Sequence, residues 1–115
     1  MTGTGDLLRS ERLAAQRRIA QLDADIADLR RERSSESADD EHDPEGSPLS
    51  GEWSRLAGLL DAAGRELAEI DDALRRSSDG TYGVCEDCGR QIPAARLEAR
   101  PTATRCVECA AKASR

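Results

Sequence analysis

The sequence predicts a mainly α protein, an antiparallel two-helix coiled-coil hairpin followed by a small C4 zinc-finger domain with a short terminal helix. Three observations carry that prediction. Two stretches repeat Leu, Ile and Ala at heptad spacing, an acidic segment separates them, and four cysteines fall in the C-terminal third as two Cys-x2-Cys pairs. Composition disfavours the alternatives. Of 115 residues, 35% are charged, 37% hydrophobic and 2% aromatic, with one Trp, one Tyr and no Phe. A barrel, sandwich or doubly wound sheet is poorly supplied with packing material, whereas abundant Ala, Leu, Arg, Glu and Asp suit solvated helices. The domains read as residues 1–79, the hairpin with an acidic tip loop over 34–52, and residues 80–115, the finger.

The first helix is read over residues 6–33. With Arg12, Ile19, Ile26 and Arg33 at position a, Leu8, Ala15, Leu22 and Leu29 fall at d. That alternation of three and four is the seam of a two-stranded coiled coil. Thr4 or Asp6 is the candidate cap at its start. Ser34, Ser35 and Ser37 mark where helical preference fades.

The second stripe places Trp53, Leu60, Leu67 and Leu74 at a, and Leu56, Ala63, Ile70 and Ser77 at d. Ser47-Pro48 or Ser50 starts this helix, because proline fits a first turn. Ser77-Ser78-Asp79-Gly80 ends it, with Gly80 as a left-handed cap. Gly64 interrupts the helix at a cost of about 1 kcal/mol relative to Ala, and its place beside the seam suggests a close approach of the two backbones. Each helix is then about 40 Å long at about 1.5 Å per residue. Two equal helices joined by a polar loop fold most simply as an antiparallel hairpin within one monomer.

Charge is concentrated rather than spread. The net charge is −6, yet residues 34–52 carry seven acidic side chains and no basic one. Those are Glu36, Asp39, Asp40, Glu41, Asp43, Glu45 and Glu52. The flanking helices and the finger are close to neutral. Such a chain is repelled by the phosphates of DNA and of anionic membranes, so neither is an expected direct ligand. Two readings of the acidic segment stand side by side, a solvated loop and a set of carboxylates delivered into a basic or metal-bearing cavity of a partner. It does not match the EF-hand loop pattern.

In the finger, Cys85-x2-Cys88 and Cys106-x2-Cys109 are separated by seventeen residues. Two thiolates at i and i+3 grip one side of a metal when the backbone makes a tight knuckle, and Gly89 permits that turn. Two knuckles complete a tetrahedral sulfur site suited to one structural Zn2+. Four thiolates leave no open position for water or substrate, and no phosphate loop or Ser/His/Asp set is present, so an enzyme is not expected. His42, the single histidine, lies in the acidic loop away from the cysteines. The start of the chain lacks a signal-peptide pattern and the apolar run Leu56 to Leu60 is too short for a bilayer, which predicts a cytoplasmic protein with reduced thiols.

The stretch Gly80-Thr81-Tyr82-Gly83-Val84-Cys85-Glu86-Asp87-Cys88-Gly89-Arg90-Gln91-Ile92 resembles the DksA/TraR family of zinc-finger transcription factors. The similarity continues through Arg96-Leu97-Glu98-Ala99-Arg100-Pro101-Thr102-Ala103 and Cys106-Val107-Glu108-Cys109. The resemblance implies RNA polymerase as the partner, approached through its secondary channel by the coiled-coil tip, with an effect on transcription initiation. In those members that use it, the alarmone ppGpp acts at the polymerase interface. Characterised tips have the form Asp-x-x-Asp-x-Ala. Here Asp40-Glu41-His42-Asp43-Pro44-Glu45 keeps both aspartates, replaces Ala with Glu45 and adds Pro44.

Asp40 and Asp43 are therefore the candidate tip residues, with Asp39, Glu41 and Glu45 tuning the local field. Arg90, Arg96, Arg100 and Arg105 are candidate contacts to an acidic patch on the partner, or simply solubilise a small finger. The alternative function is a zinc-finger interaction module with a different protein partner.

Overall fold

The computed structural model describes residues 3–39 and 48–114. Four helices follow one another, α1 (Gly3–Asp39), α2 (Pro48–Asp79), α3 (Ala94–Ala99) and α4 (Val107–Ala113). Among the described residues the only β pairing is an isolated antiparallel bridge between Val84 and Gln91. The mainly helical hairpin followed by a small cysteine-bearing segment is thus the architecture observed. No helix among the described residues is long and apolar enough to cross a membrane.

α2 begins at Pro48 and ends at Asp79, within the start and stop signals of the sequence, whereas α1 exceeds its sequence-based bounds. α1 begins at Gly3, so Thr4 and Asp6 lie inside it, and Asp6 pairs with Arg9 at 2.9 Å instead of capping the helix. It continues past Ser34 to Asp39. Serine costs only a few tenths of a kcal/mol or so in a helix, about half the penalty of glycine, and neither Gly nor Pro interrupts the run. Residues 34–39 and 48–52, read as part of the acidic loop, are therefore helical. Asp39 is the last residue of α1, and Asp40, Glu41, Asp43 and Glu45 lie outside the described residues.

The chain divides into two compact units, one of residues 13–67 and one of residues 1–12 with 68–115. In the first, Leu22, Ile26 and Leu29 of α1 bury against Leu56 and Ala63 of α2, with Ile19, Trp53 and Leu60 packed at the margin. The direction is antiparallel, since Arg18 meets Glu66 at 2.7 Å while Arg30 and Arg33 place their guanidinium carbons 5.2 and 5.8 Å from the Trp53 ring. In this unit every d residue is buried, whereas at a only Ile26 is, and Ile19, Trp53, Leu60 and Leu67 are half-buried. Gly64 is not a point of close approach. A Cβ there meets nothing within 4 Å, because its position faces solvent.

The second unit is built from the chain-terminal parts of the long helices and the finger. Leu8, Ile70 and Ala73 are fully buried, joined in the finger by Cys85, Ile92 and Ala103. Arg12 at position a is only half-buried and closes the seam with a 2.6 Å contact to Asp71. Ser77, assigned to d, is exposed, because the buried line in the last turns of α2 passes through Ala73 instead. Gly80 has φ +82°, and the N–H of Thr81 donates to the carbonyl of Arg76 at 2.9 Å. That six-to-one bond is a Schellman termination, as the sequence predicts.

Candidate metal centre

Each cysteine pair is placed by a local backbone device. In the first, the bridge between Val84 and Gln91 sets up a narrow loop. The Cys85 N–H donates to the Arg90 carbonyl at 2.8 Å and the Gly89 N–H donates to the Cys85 carbonyl at 3.0 Å. Gly89 sits at φ +75°, the left-handed region that a side chain disfavours, which is how the loop tightens around its sulfurs. In the second pair, Cys106 caps α4 with an extended backbone and Cys109 lies in its first turn. Helical geometry then aims both sulfurs the same way.

The four sulfurs of Cys85, Cys88, Cys106 and Cys109 all lie within 4.8 Å of one another, and those of Cys88 and Cys106 are 4.0 Å apart. A tetrahedral zinc–thiolate site with bonds of about 2.3 Å sets its sulfurs about 3.8 Å apart, so these residues fit the ion. Cys85 is buried and the other three are partly or fully exposed. The Cys85 sulfur accepts backbone N–H groups from Cys88 and Cys106, which pull its thiol down to about 6 against the opposing effect of burial. Cys109 is pushed up to about 12, chiefly by its contact with the Cys106 sulfur and then by burial. Several negative sulfurs at this distance need a cation, and Zn2+ supplies it while tying the two knuckles together.

Around the sulfurs lies a layer of charge. Arg105 donates from Nε to Asp87 at 2.7 Å and has a terminal nitrogen 2.9 Å from Glu86. Arg96 donates to the carbonyl of Arg105 at 2.7 Å. Three of the four predicted finger arginines, Arg96, Arg100 and Arg105, line one cleft of about 580 Å3 together with Thr102 and Thr104. Arg90 is exposed and is not part of that lining.

Arg76, absent from the sequence-based candidates, also lines this cleft. Its Nε donates to Asp72 at 2.9 Å, its guanidinium carbon is 6.0 Å from the Tyr82 ring centre, and both terminal nitrogens are enclosed without a hydrogen-bond partner. Heptad position gave no signal for it, since Arg76 falls at an ordinarily solvated place on α2. Its enclosure comes from the finger, which a helical pattern does not describe. All residues of this cleft belong to one compact unit.

Comparison with known proteins adds the lineage. Residues 80–115 match the prokaryotic dksA/traR C4-type zinc finger. The RNA polymerase-binding transcription factor DksA of Caulobacter vibrioides is 62% identical over 42 residues, 36% of this chain and 30% of that protein. The matched stretch thus spans about a third of that curated relative. Solved structures extend the likeness to nearly the whole chain. Transcription factor DksA2 from Pseudomonas aeruginosa superposes with a TM-score of 0.79 at 30% identity, covering 96% of this chain and 80% of that one. The DnaK suppressor protein from Agrobacterium tumefaciens gives 0.59 at 30% identity, covering 96% and 90%.

Proposed function

Because this chain belongs to the DksA/TraR family, we propose that it is a zinc-containing transcriptional regulator that binds RNA polymerase. The observation that supports this most directly is the 96% coverage by a DksA2 structure at 30% identity, hairpin and finger together. In this reading the hairpin enters the secondary channel and presents Asp39, Asp40, Glu41, Asp43 and Glu45 near the catalytic region. Concentrated negative charge there alters initiation by competing for cationic groups or for a bound metal. The domain division follows the same logic, with residues 1–79 as the reaching element and 80–115 as its base. The protein acts as a cytoplasmic monomer.

Finger arginines supply the second contact. Arg105 is engaged by Asp87 and Glu86 and Arg96 by the Arg105 carbonyl, so Arg90 and Arg100 offer the least committed charges to an acidic surface of polymerase, with Arg96 and Arg105 beside them. A ppGpp molecule at that interface is the co-ligand the reading allows. The discriminating experiment is a purified transcription assay with bacterial RNA polymerase, with and without ppGpp, comparing wild type with Asp40→Asn/Asp43→Asn. The double variant should bind polymerase core like wild type and lose its effect on initiation. Unchanged transcription by the variant would remove the tip mechanism. Failure of the wild-type chain to bind polymerase core would favour the other interaction-module reading.

A further inference from the structure

Arg105 occupies an unusual place with respect to the metal site. It directly precedes Cys106, the first sulfur of the second pair, yet its side chain reaches the first pair. Asp87, its partner at 2.7 Å, lies between Cys85 and Cys88, and Glu86, its partner at 2.9 Å, lies beside Cys85. A backbone bond runs in parallel, from the Glu86 N–H to the Thr104 carbonyl at 2.9 Å. The carbonyl of Arg105 is held from the other side by Arg96 at 2.7 Å. One residue therefore links the two cysteine pairs through two charge-assisted contacts and no metal, while Arg96 fixes its backbone.

We propose that Arg105 is a positioning residue for zinc, holding the two cysteine pairs in register and offsetting the charge of the tetrathiolate centre so that the ion is retained. Zinc with four thiolates carries a formal charge of about −2. Asp87 and Glu86 add further negative charge beside it, and the Arg105 cation, in contact with both carboxylates, is a counterweight. Without Arg105, Asp87 and Glu86 would lose the cation that ties them to the second pair, and the first step of metal loss, separation of the pairs, would become easier. The side chain is 38% exposed, so its contacts lie within reach of mobile ions. Its contribution must then fall as salt rises.

The test uses the full zinc-loaded chain and follows transfer of zinc to an excess of chromogenic chelator. Arg105→Gln should release zinc about tenfold faster than wild type, the lower end of what outer-layer partners of metal ligands contribute. Asp87→Asn should also speed release, and the double variant should be no faster than the faster single, because both remove one contact. Raising salt should accelerate the wild type toward the variant and leave Arg105→Gln nearly unchanged. Arg105→Lys, which restores charge without the planar fork, should recover part of the effect. Should Arg105→Gln fail to form the finger, Asp87→Asn with Glu86→Gln leaves Arg105 in place and must show the same loss of salt dependence. Wild-type release from Arg105→Gln, or single effects that simply multiply in the double variant, overturns the proposal.

Discussion

Tyr82 donates its hydroxyl hydrogen bond to the carbonyl of Pro101 at 2.7 Å, joining the entrance of the finger to the turn that leads to its second cysteine pair. The two residues are nineteen positions apart in the chain. Burial raises the tyrosine above its ordinary range despite the nearby Arg76 cation, so the hydroxyl remains a donor at neutral pH. Removing that donor with Tyr82→Phe leaves a buried carbonyl short of a partner and should destabilise the zinc-loaded finger by about 1 kcal/mol. Thermal unfolding followed by near-UV signals or by zinc release reads this directly. A midpoint equal to wild type would mean that water replaces the phenol without cost.

Glycine substitutions should move stability in opposite directions at two positions. Gly64 lies in a helix with open space around it, so Gly64→Ala should stabilise the chain by about 0.5–1 kcal/mol, through helix propensity and the entropy of the unfolded chain. Gly83 sits at φ +82°, where a Cβ would also touch Leu97 at 3.4 Å. Gly83→Ala should therefore destabilise by about 1–2 kcal/mol. Denaturant midpoints with unchanged slopes distinguish the two, and two shifts of the same sign would refute the account.

Metal removal should act unevenly. A chelator, or Cys85→Ser or Cys109→Ser, abolishes the sulfur set and should release one zinc per chain together with the finger's fixed packing. The finger helices have only 6 and 7 residues, against 37 and 32 in α1 and α2, so most of the far-UV helical signal should survive. Retention of a full zinc equivalent by either variant would refute the four-cysteine assignment.

Asp72 provides the pH dependence. It accepts hydrogen bonds from Arg75 and then Arg76, and both hold its carboxyl below the ordinary range. A folded-state pKa lowered in this way stabilises the protein fully above the unfolded carboxylate value. That stabilisation is lost as pH falls through the lower folded value. The side chain is 43% exposed, so solvent screening keeps the effect small. Asp72→Asn should lower the thermal midpoint at neutral pH and meet the wild-type curve at the acid end. Since zinc release shapes both curves alike, a constant gap down to the lowest pH would exclude the carboxylate as the cause.

Much of this fold was legible because coiled-coil physics is periodic. Leu8, Ala15, Leu22, Leu29, Leu56, Ala63 and Ile70, all assigned to d, are buried. The cysteine spacing likewise led to a compact sulfur cluster. Periodicity failed where contacts are not repeated. Ala73 is fully buried although it was assigned to neither a nor d, and Arg76, enclosed beside Tyr82, owes its environment to a segment without heptads. The extent of α1 was underestimated because serine resembles a stop signal, whereas nothing in Ser34–Asp39 forbids a helical turn. Arg105 was found as a cation and its partners were missed, since Asp87 and Glu86 are eighteen and nineteen positions earlier.

The scarcity of rings has one more consequence. Trp53 lies in the unit of residues 13–67, held between α1 cations, and Tyr82 lies in the other unit beside Arg76. With no Phe and no second Trp or Tyr, each unit owns one chromophore. Long-wavelength excitation reaches the indole alone and the phenol emits at shorter wavelength, so a single sample reports two local melts without labels. Zinc extraction should disturb the phenol signal first, while the indole serves as an internal standard for the paired helices around it.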